Sequence, residues 1–584
     1  MGIQGGQAED GRRARRARGD EGGFVLVWTA LFLLVLLGFA ALAIDFGHAY
    51  FVGQHEQNAA DAASLAGAVY LPGDVTTAYD TATSIANTNG FKDGDRDGVA
   101  VTPQQQEHVS QLKVTITETI PTLFAKVLGF KAMTVTRSAV ADYRPPVAMG
   151  SPNPQYGNDP DSSGDPGSAT YPNLWGNVTS YATDKQNGNA YTSGVCNKSP
   201  IDGCAGSTNQ DYTADGYYYA IHFNQAATVN VQVFDPGFVA VGNNCISGSD
   251  SNADLADAAT TLTSQPAGWP VSTGYLAAPP FDVTRYAPVT GATDAPTTAN
   301  PGNRYCTGDS AFGSASQLPA TTYSLLGPAV AQGDPSTAVA AAGCSSWTFP
   351  GVEGTSSNSV VQMLAGGATV PVSPAPQYLA TYFRQWFPIC TITGQANTDY
   401  FLQVNGDANG SGNNNFSIRA TQAGGALSSA VSIYGNAKMA IYANAGKDTL
   451  TQFYLARIPS NDAGQTLSLH LFDIGDAGTD VTGSLTIVPP TDSGLTSFSN
   501  CTAQSQTPSF TPSIAGDCKL TNVSSDTYQG RWVSVNIPIP ANYLCDDASP
   551  TGCWFRIDYE FNGAVSDVTS WTAVLAGDPV RIVQ

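Results

Sequence analysis

FVLVWTALFLLVLLGFAALAI, residues Phe24–Ile44, runs 21 residues without a charge, and its reading decides how the whole chain is organised. Coiled as an α-helix at about 1.5 Å per residue, it reaches roughly 30 Å, the hydrocarbon thickness of a bilayer. Arg12, Arg13, Arg15, Arg16 and Arg18 stand just before it. The positive-inside rule therefore keeps residues 1–23 in the cytoplasm and sends the chain beyond residue 44 to the other side. A rival reading comes from Ala41-Leu42-Ala43, which fits a signal-peptidase site. The apolar run is longer than the ~7–15 residues of a signal core, which favours a retained anchor.

The cysteines point the same way. All ten lie beyond residue 190: Cys196, Cys204, Cys245, Cys306, Cys344, Cys390, Cys501, Cys518, Cys545 and Cys553. An even number on one side of an apolar segment reads as disulfides in an oxidising space. Local pairs are expected at Cys196–Cys204, Cys501–Cys518 and Cys545–Cys553.

Composition narrows the class. Only 12% of residues are charged, and 60 Gly and 36 Pro punctuate the chain, a profile of exported β structure with many loops. The net charge is −22; residues 1–23 carry +1 (five Arg against Glu9, Asp10, Asp20 and Glu21), which leaves −23 for the remainder. Such a surface repels phosphate backbones and argues against nucleic acid as a partner.

Past the bilayer the helix is expected to continue from Asp45 to Leu71, with Val52, His55, Ala59, Ala62, Ala66 and Val69 forming a narrow stripe of mostly small residues. This stripe is expected to pack on the protein's own small domain. A second helical face follows (Val75, Ala78, Tyr79, Ala82, Ile85, Ala86), closed by Asn89-Gly90. Leu112, Val114 and Ile116 alternate with polar residues as a strand. A short helix over 121–129 and a strand over 132–142 complete a compact α+β unit at 45–143.

The run GDEGGFVLVWTALFLLVLLGFAALAIDFGHAYFVGQHEQNAADAASLAGA (residues 19–68) resembles the opening of TadE/TadG-like proteins of Flp (tight adherence) pilus assembly. The resemblance rests on the basic residues, on Asp45 and Gly47 closing the apolar run, and on Gln57, Asn58, Ala59, Ala60, Asp61, Ala62 and Ala63. The later stretch IPTLFAKVLGFKAMTVTRSAVADY (residues 120–143) is similar to a second part of that pattern. The resemblance implies a part in assembling or anchoring such pili, with other pilus-assembly or envelope proteins as partners. It does not imply a pilin: the fifth residue after Gly23 is Trp28, not the Glu that prepilin processing requires. Nor is there an Asp-x-Ser-x-Ser site like that of the von Willebrand A domain some relatives carry.

Residues 144–170, dense in Pro, Gly, Asp, Ser and Asn, read as a linker. Beyond them, short strands recur between Gly/Asn/Asp turns, which predicts β-sandwich or jelly-roll structure. Two stretches rhyme. Gly216–Phe238 and Thr451–Gly478 each read strand, turn, strand, then Phe-Asp-x-Gly (Phe234-Asp235, Phe472-Asp473). Downstream, 400–420 rhymes with 554–577. Two related domains are therefore expected, at 171–425 and 426–584, the first carrying a long insertion near 247–345.

Among candidate sites, Asp93, Asp95 and Asp97 with Gly98 offer oxygen ligands at the first, third and fifth positions of a calcium loop, while Gln104 stands where such a loop places a bidentate Glu. A weak structural calcium site competes with a solvated acidic turn. Asp235, Asp473 and Asp476 follow apolar strands at loop mouths, where turn hydrogen bonding is the commoner role. Tyr217, Tyr218, Tyr219, Trp347 and Trp386 could form a sugar platform, against the commoner alternative of core packing. No GxSxG, HExxH or P-loop occurs, and His48, His55, His108, His222 and His470 form no catalytic set.

The expected architecture is thus a single N-terminal transmembrane helix (24–44), a small α+β membrane-proximal unit, and a mainly β ectodomain of two β-sandwich or jelly-roll domains. The expected protein is a single-pass plasma-membrane protein with a cytoplasmic N-terminus and a disulfide-bonded extracytoplasmic ectodomain. Its expected role is structural, not enzymatic, with no required cofactor beyond a possible calcium ion and a bilayer partner at 24–44. The alternative is a cell-surface adhesin or carbohydrate-binding module on the same anchor.

Overall fold

The computed structural model describes residues 21–236 and 310–583 except 72–74, 95–97, 107–110, 144–145, 160–172, 197–202, 207, 312–319, 331–332, 350–382, 384, 446–447, 449, 476–479, 507–509, 564 and 576–579. These residues divide into two units, one holding the chain up to Tyr143 together with 580–584, the other Arg144–Pro579.

In the first unit, one helix, α1 (Glu21–Ala68), runs unbroken for 48 residues. Nothing among the described residues covers its apolar half: Leu26, Phe32, Leu34 and Phe39 are each more than 60% exposed. Among the described residues it is the one helix long and apolar enough to cross a membrane. Its second half packs with α2 (Val75–Thr88) on an antiparallel sheet of β1 (Ala100–Gln105), β2 (Gln111–Pro121), β3 (Ala132–Tyr143) and, at the far edge, Val580–Ile582. Burial follows the alternation at Leu112, Val114 and Ile116. Gly67 permits the tightest approach: a Cβ there would lie 2.6 Å from the Ala78 carbonyl oxygen and 2.4 Å from Leu112.

Two expectations need correction here. The face of α1 turned inward is Gly53, Glu56, Ala59, Ala60, Ala63, Ser64 and Ala68; of the stripe read from sequence, only Ala59 is buried. Between Ala59 and Ala68 nearly every residue is small, so steps of three and four can be drawn along several faces, and the expected stripe lies beside the true contact line. The helix expected over 121–129 is a single 3-10 turn, Ala125–Leu128, preceded by the end of β2.

The second unit is built on a strand order that occurs twice. The first set is β4 (Asn173–Thr179), β5 (Tyr217–Phe223), β6 (Ala227–Phe234), β7 (Thr321–Leu326), β8 (Trp347–Phe349), β9 (Trp386–Gly394), β10 (Thr398–Gly406) and β11 (Gly412–Thr421). The second is β12 (Met439–Ala445), β13 (Thr451–Arg457), β14 (Thr466–Phe472), β15 (Gly483–Val488), β16 (Lys519–Val523), β17 (Trp532–Pro538), β18 (Trp554–Phe561) and β19 (Val565–Leu575). One sheet orders the first set β4-β11-β6-β9 and the second β12-β19-β14-β17; facing sheets run β5-β10-β7-β8 and β13-β18-β15-β16. All these pairings are antiparallel. Adding eight to a strand number of the first set gives its counterpart.

The register agrees as well. Phe234 of β6 faces Ser417 of β11, as Phe472 of β14 faces Ser570 of β19. The sets meet where β4 pairs with β12, so that a single sheet crosses both, and one hydrophobic core runs through them. The expected insertion over 247–345 is revised accordingly: β7 lies inside that range and is a regular member of the first set.

A polar loop between β4 and β5 seals the junction. Asn177 donates to Asn415 at 2.8 Å, and Asn189 to Asn177 at 3.1 Å; Tyr217 and Thr192 donate to Asn189 at 2.6 and 2.7 Å. Such a network is tolerable in a core only because its members satisfy one another. Fully buried Lys185 pairs with Asp211 at 2.5 Å and lies 4.8 Å from the Phe472 ring centroid of the second set.

Candidate functional site

The end of the apolar run is a clamp. Asp45 is buried, and its carboxylate accepts hydrogen bonds from three successive backbone N–H groups: Leu123 at 2.6 Å, Phe124 at 3.1 Å and Ala125 at 2.6 Å. These donors open the 3-10 turn Ala125–Leu128, where a carboxylate meets N–H groups that have no partner within the turn. Burial works against the charged form, yet the N–H groups of Ala125, Leu123 and Phe124, with His48, hold the carboxyl below its ordinary pKa. The loop that follows β2 is thereby fixed to the first residue after the apolar run.

About three turns further on, Glu56 is wholly buried, and neither of its carboxylate oxygens meets hydrogen-bond geometry with any described group. Burial, and then the Glu118 carboxylate, push its pKa up to about 7, against a lowering by the Arg137 guanidinium and the Glu118 backbone N–H. Gly53 leaves room for that guanidinium, since a Cβ there would lie 2.9 Å from it. The sign follows from linkage. The folded unit holds the Glu56 proton more tightly than the unfolded chain, so this group's contribution is fully present below about pH 4.5 and is lost as pH rises through about 7. Glu56→Gln is expected to raise the melting temperature of the first unit at pH 8, by an amount equivalent to ~1–2 kcal/mol after solvent screening, and to leave it nearly unchanged at pH 4.5. Melting curves of both proteins at the two pH values check this; equal curves at pH 8 would contradict it.

The motif residues divide by role. Ala59, Ala60 and Ala63 are core, and Gln57 donates to Asp61 at 2.8 Å and to the Ser138 carbonyl of β3 at 3.3 Å. Asp93 is exposed and accepts from the Val101 N–H at 3.0 Å; Asp95 and Asp97 lie outside the described residues. Asp235 and Asp473 are buried at equivalent positions after β6 and β14. Asp235 accepts from Tyr323 at 2.7 Å and Asn414 at 2.8 Å, and Asp473 from the Gly530 N–H at 2.6 Å. Asp476 is outside the described residues.

Tyr217, Tyr218, Tyr219 and Trp386 are buried and Trp347 is half-buried, so these five are core and not an open platform. His222 contacts Asp399 at 2.7 Å and His470 contacts Ser534 at 2.8 Å; His48 and His55 are exposed, and His108 is outside the described residues. Asp492, Cys545 and Cys553 converge, but the two cysteines are bonded to each other and offer no thiolate to a metal. Among the described residues four disulfides are formed, the three expected local ones and Cys344–Cys390.

In the sequence Asp45 stands out only as part of a motif, because its partner lies 78 residues away. Glu56 belongs to none of the expected site residues. A carboxylate in register with Ala59, Ala60 and Ala63 was the available signal.

Residues 22–69 match a family model described as putative Flp pilus-assembly TadE/G-like. The match begins at the apolar run, includes Asp45 and Glu56, and ends just past α1. No curated protein and no solved structure matches the chain.

Proposed function

We infer that this protein is a membrane-anchored structural component of Flp-type pilus assembly, holding a disulfide-bonded β ectodomain outside the cytoplasm. The observation that carries this is the coincidence of the family match at 22–69 with the uncovered apolar helix and the Asp45 clamp. The Arg cluster before residue 24 supports a cytoplasmic N-terminus, and four disulfides beyond it support an oxidising space for the rest. The first unit is the α+β platform next to the membrane.

Each eight-strand set follows jelly-roll order, two Greek keys folded into facing sheets. The role is one of binding and scaffolding, with envelope or pilus proteins as partners and no chemistry of its own. The same order also favours a second reading, a glycan-binding surface module, because lectin domains share the architecture.

Two experiments separate these readings. Deleting the gene abolishes surface pili under the first, while piliated deletion cells, with cell-wall glycan retaining the purified ectodomain, would establish the second. Protease added to intact spheroplasts is expected to digest the ectodomain and leave a membrane-bound stub. Full protection would overturn the topology, and a soluble mature chain beginning at Ile44 would show a cleaved signal peptide instead.

A further inference from the structure

We propose that the loop Leu123–Phe130 is a second membrane anchor, seated in the lipid headgroup region beside the transmembrane helix. The proposal rests on the anchor reading given above. Four of its apolar side chains face solvent: Val127 is 84% exposed, Phe130 66%, Leu123 49% and Phe124 46%. An isolated exposed apolar side chain is ordinary, but four within eight residues make a patch that needs an occupant.

Position identifies the occupant as lipid. The Asp45 carboxylate holds the backbone of Leu123, Phe124 and Ala125 within hydrogen-bond distance, and Asp45 directly follows Ile44, where the apolar run ends. A 21-residue helical span is used up by the bilayer core, so residue 45 lies at its boundary, and the clamped loop lies at that depth with it. Phe side chains suit this zone, and charge agrees. In a chain with 47 acidic and 25 basic residues, Thr122–Lys131 carries Lys126 and Lys131 and no acid. Both lysines are exposed and able to meet anionic headgroups. The clamp thus fixes a short apolar wedge at a set depth, which limits how far the helix slides or tilts.

The test uses the full chain, oxidised, in vesicles of phosphatidylethanolamine and phosphatidylglycerol. An environment-sensitive fluorophore is placed on Val35→Cys within the span, Val127→Cys in the loop, or Val330→Cys, which is 72% exposed in the second unit. The parent chain, labelled in parallel, serves as blank. Nitroxide lipids labelled deep in the acyl region are expected to quench position 35. Lipids labelled near the headgroup are expected to quench position 127 with a blue shift, while position 330 stays water-like and unquenched. If 35 is quenched and 127 behaves like 330, the loop is solvated and the proposal fails while the anchor stands. A blue-shifted but unquenched 127 means that protein covers the loop, and the proposal fails. If 35 is unquenched, the anchor reading falls and takes the proposal with it.

Discussion

Gly188→Ala is expected to prevent the second unit from reaching its folded state, with a loss above ~4 kcal/mol, in the range that marks disruption of a core. Gly188 follows the turn Lys185–Asn187 of the first strand set and has φ +91°. An alanine Cβ would lie 1.9 Å from the carbonyl oxygen of Val568 in β19 of the second set. Neither side can yield easily. Ser570 on the same strand donates to the Gly188 carbonyl at 2.7 Å and accepts from the Ala190 N–H at 3.0 Å, so the loop and β19 are tied together at the point of collision. The control is Gly424→Ala: its φ is +95°, with nothing within 4 Å of the new Cβ. It should cost only the ~1–2 kcal/mol of the left-handed backbone. Thermal unfolding and protease resistance of both variants measure the difference. Similar losses would mean that backbone strain, and not the contact between sets, decides the outcome.

Reduction is expected to have a second large effect, confined to the second unit. The four disulfides close separations of 8, 46, 17 and 8 residues. In the chain-entropy account these correspond to ~2.5 kcal/mol for the shortest, ~3 for Cys501–Cys518 and ~4 for Cys344–Cys390. Any one of them is a sizeable part of a typical domain's ~5–15 kcal/mol. The first unit contains no cysteine and is the internal control. Reductant should lower the melting midpoint of the second unit by many degrees and leave the first in place. Thiol labelling of the unfolded, unreduced chain should count at most two, because all eight described cysteines are bridged. Ten labelled thiols would overturn both the bridges and the extracytoplasmic reading.

What could be read in the sequence was what local pattern encodes. An uncharged run, an alternation such as Leu112-Val114-Ile116 and the Phe-Asp pairs after β6 and β14 each repeat on a scale of a few residues. The rhyming stretches fall on β5–β6 and β13–β14, and on β10–β11 and β18–β19, because equivalent strands keep equivalent alternation. What could not be read depended on distance or on mutual satisfaction. Lys185, Asn177 and Asn189 look like surface loop residues, and only their partners far along the chain make burial tolerable. Cys344–Cys390 escaped notice while shorter pairs did not, since sequence proximity is the one guide to pairing that spacing offers. The Asp45 clamp failed the same way: a carboxylate can be recognised, but three N–H groups about 80 residues away cannot.

The strand Val580–Ile582 sets the order in which this protein is completed. It pairs with β3 through Val580–Tyr143, Arg581–Asp142 and Ile582–Ala141, so 436 residues (144–579) are made between the two partners. At the ~5–20 residues per second of synthesis, that is an interval of about 20–90 s. Throughout it, the edge of β3 that Val580–Ile582 covers in the finished protein lacks that strand, and an uncovered sheet edge is a template for any other extended segment. The nascent platform therefore has a timed vacancy that its own chain fills only after the β ectodomain has been made. That edge stays open to pairing until residue 582 is in place, and closes from then on.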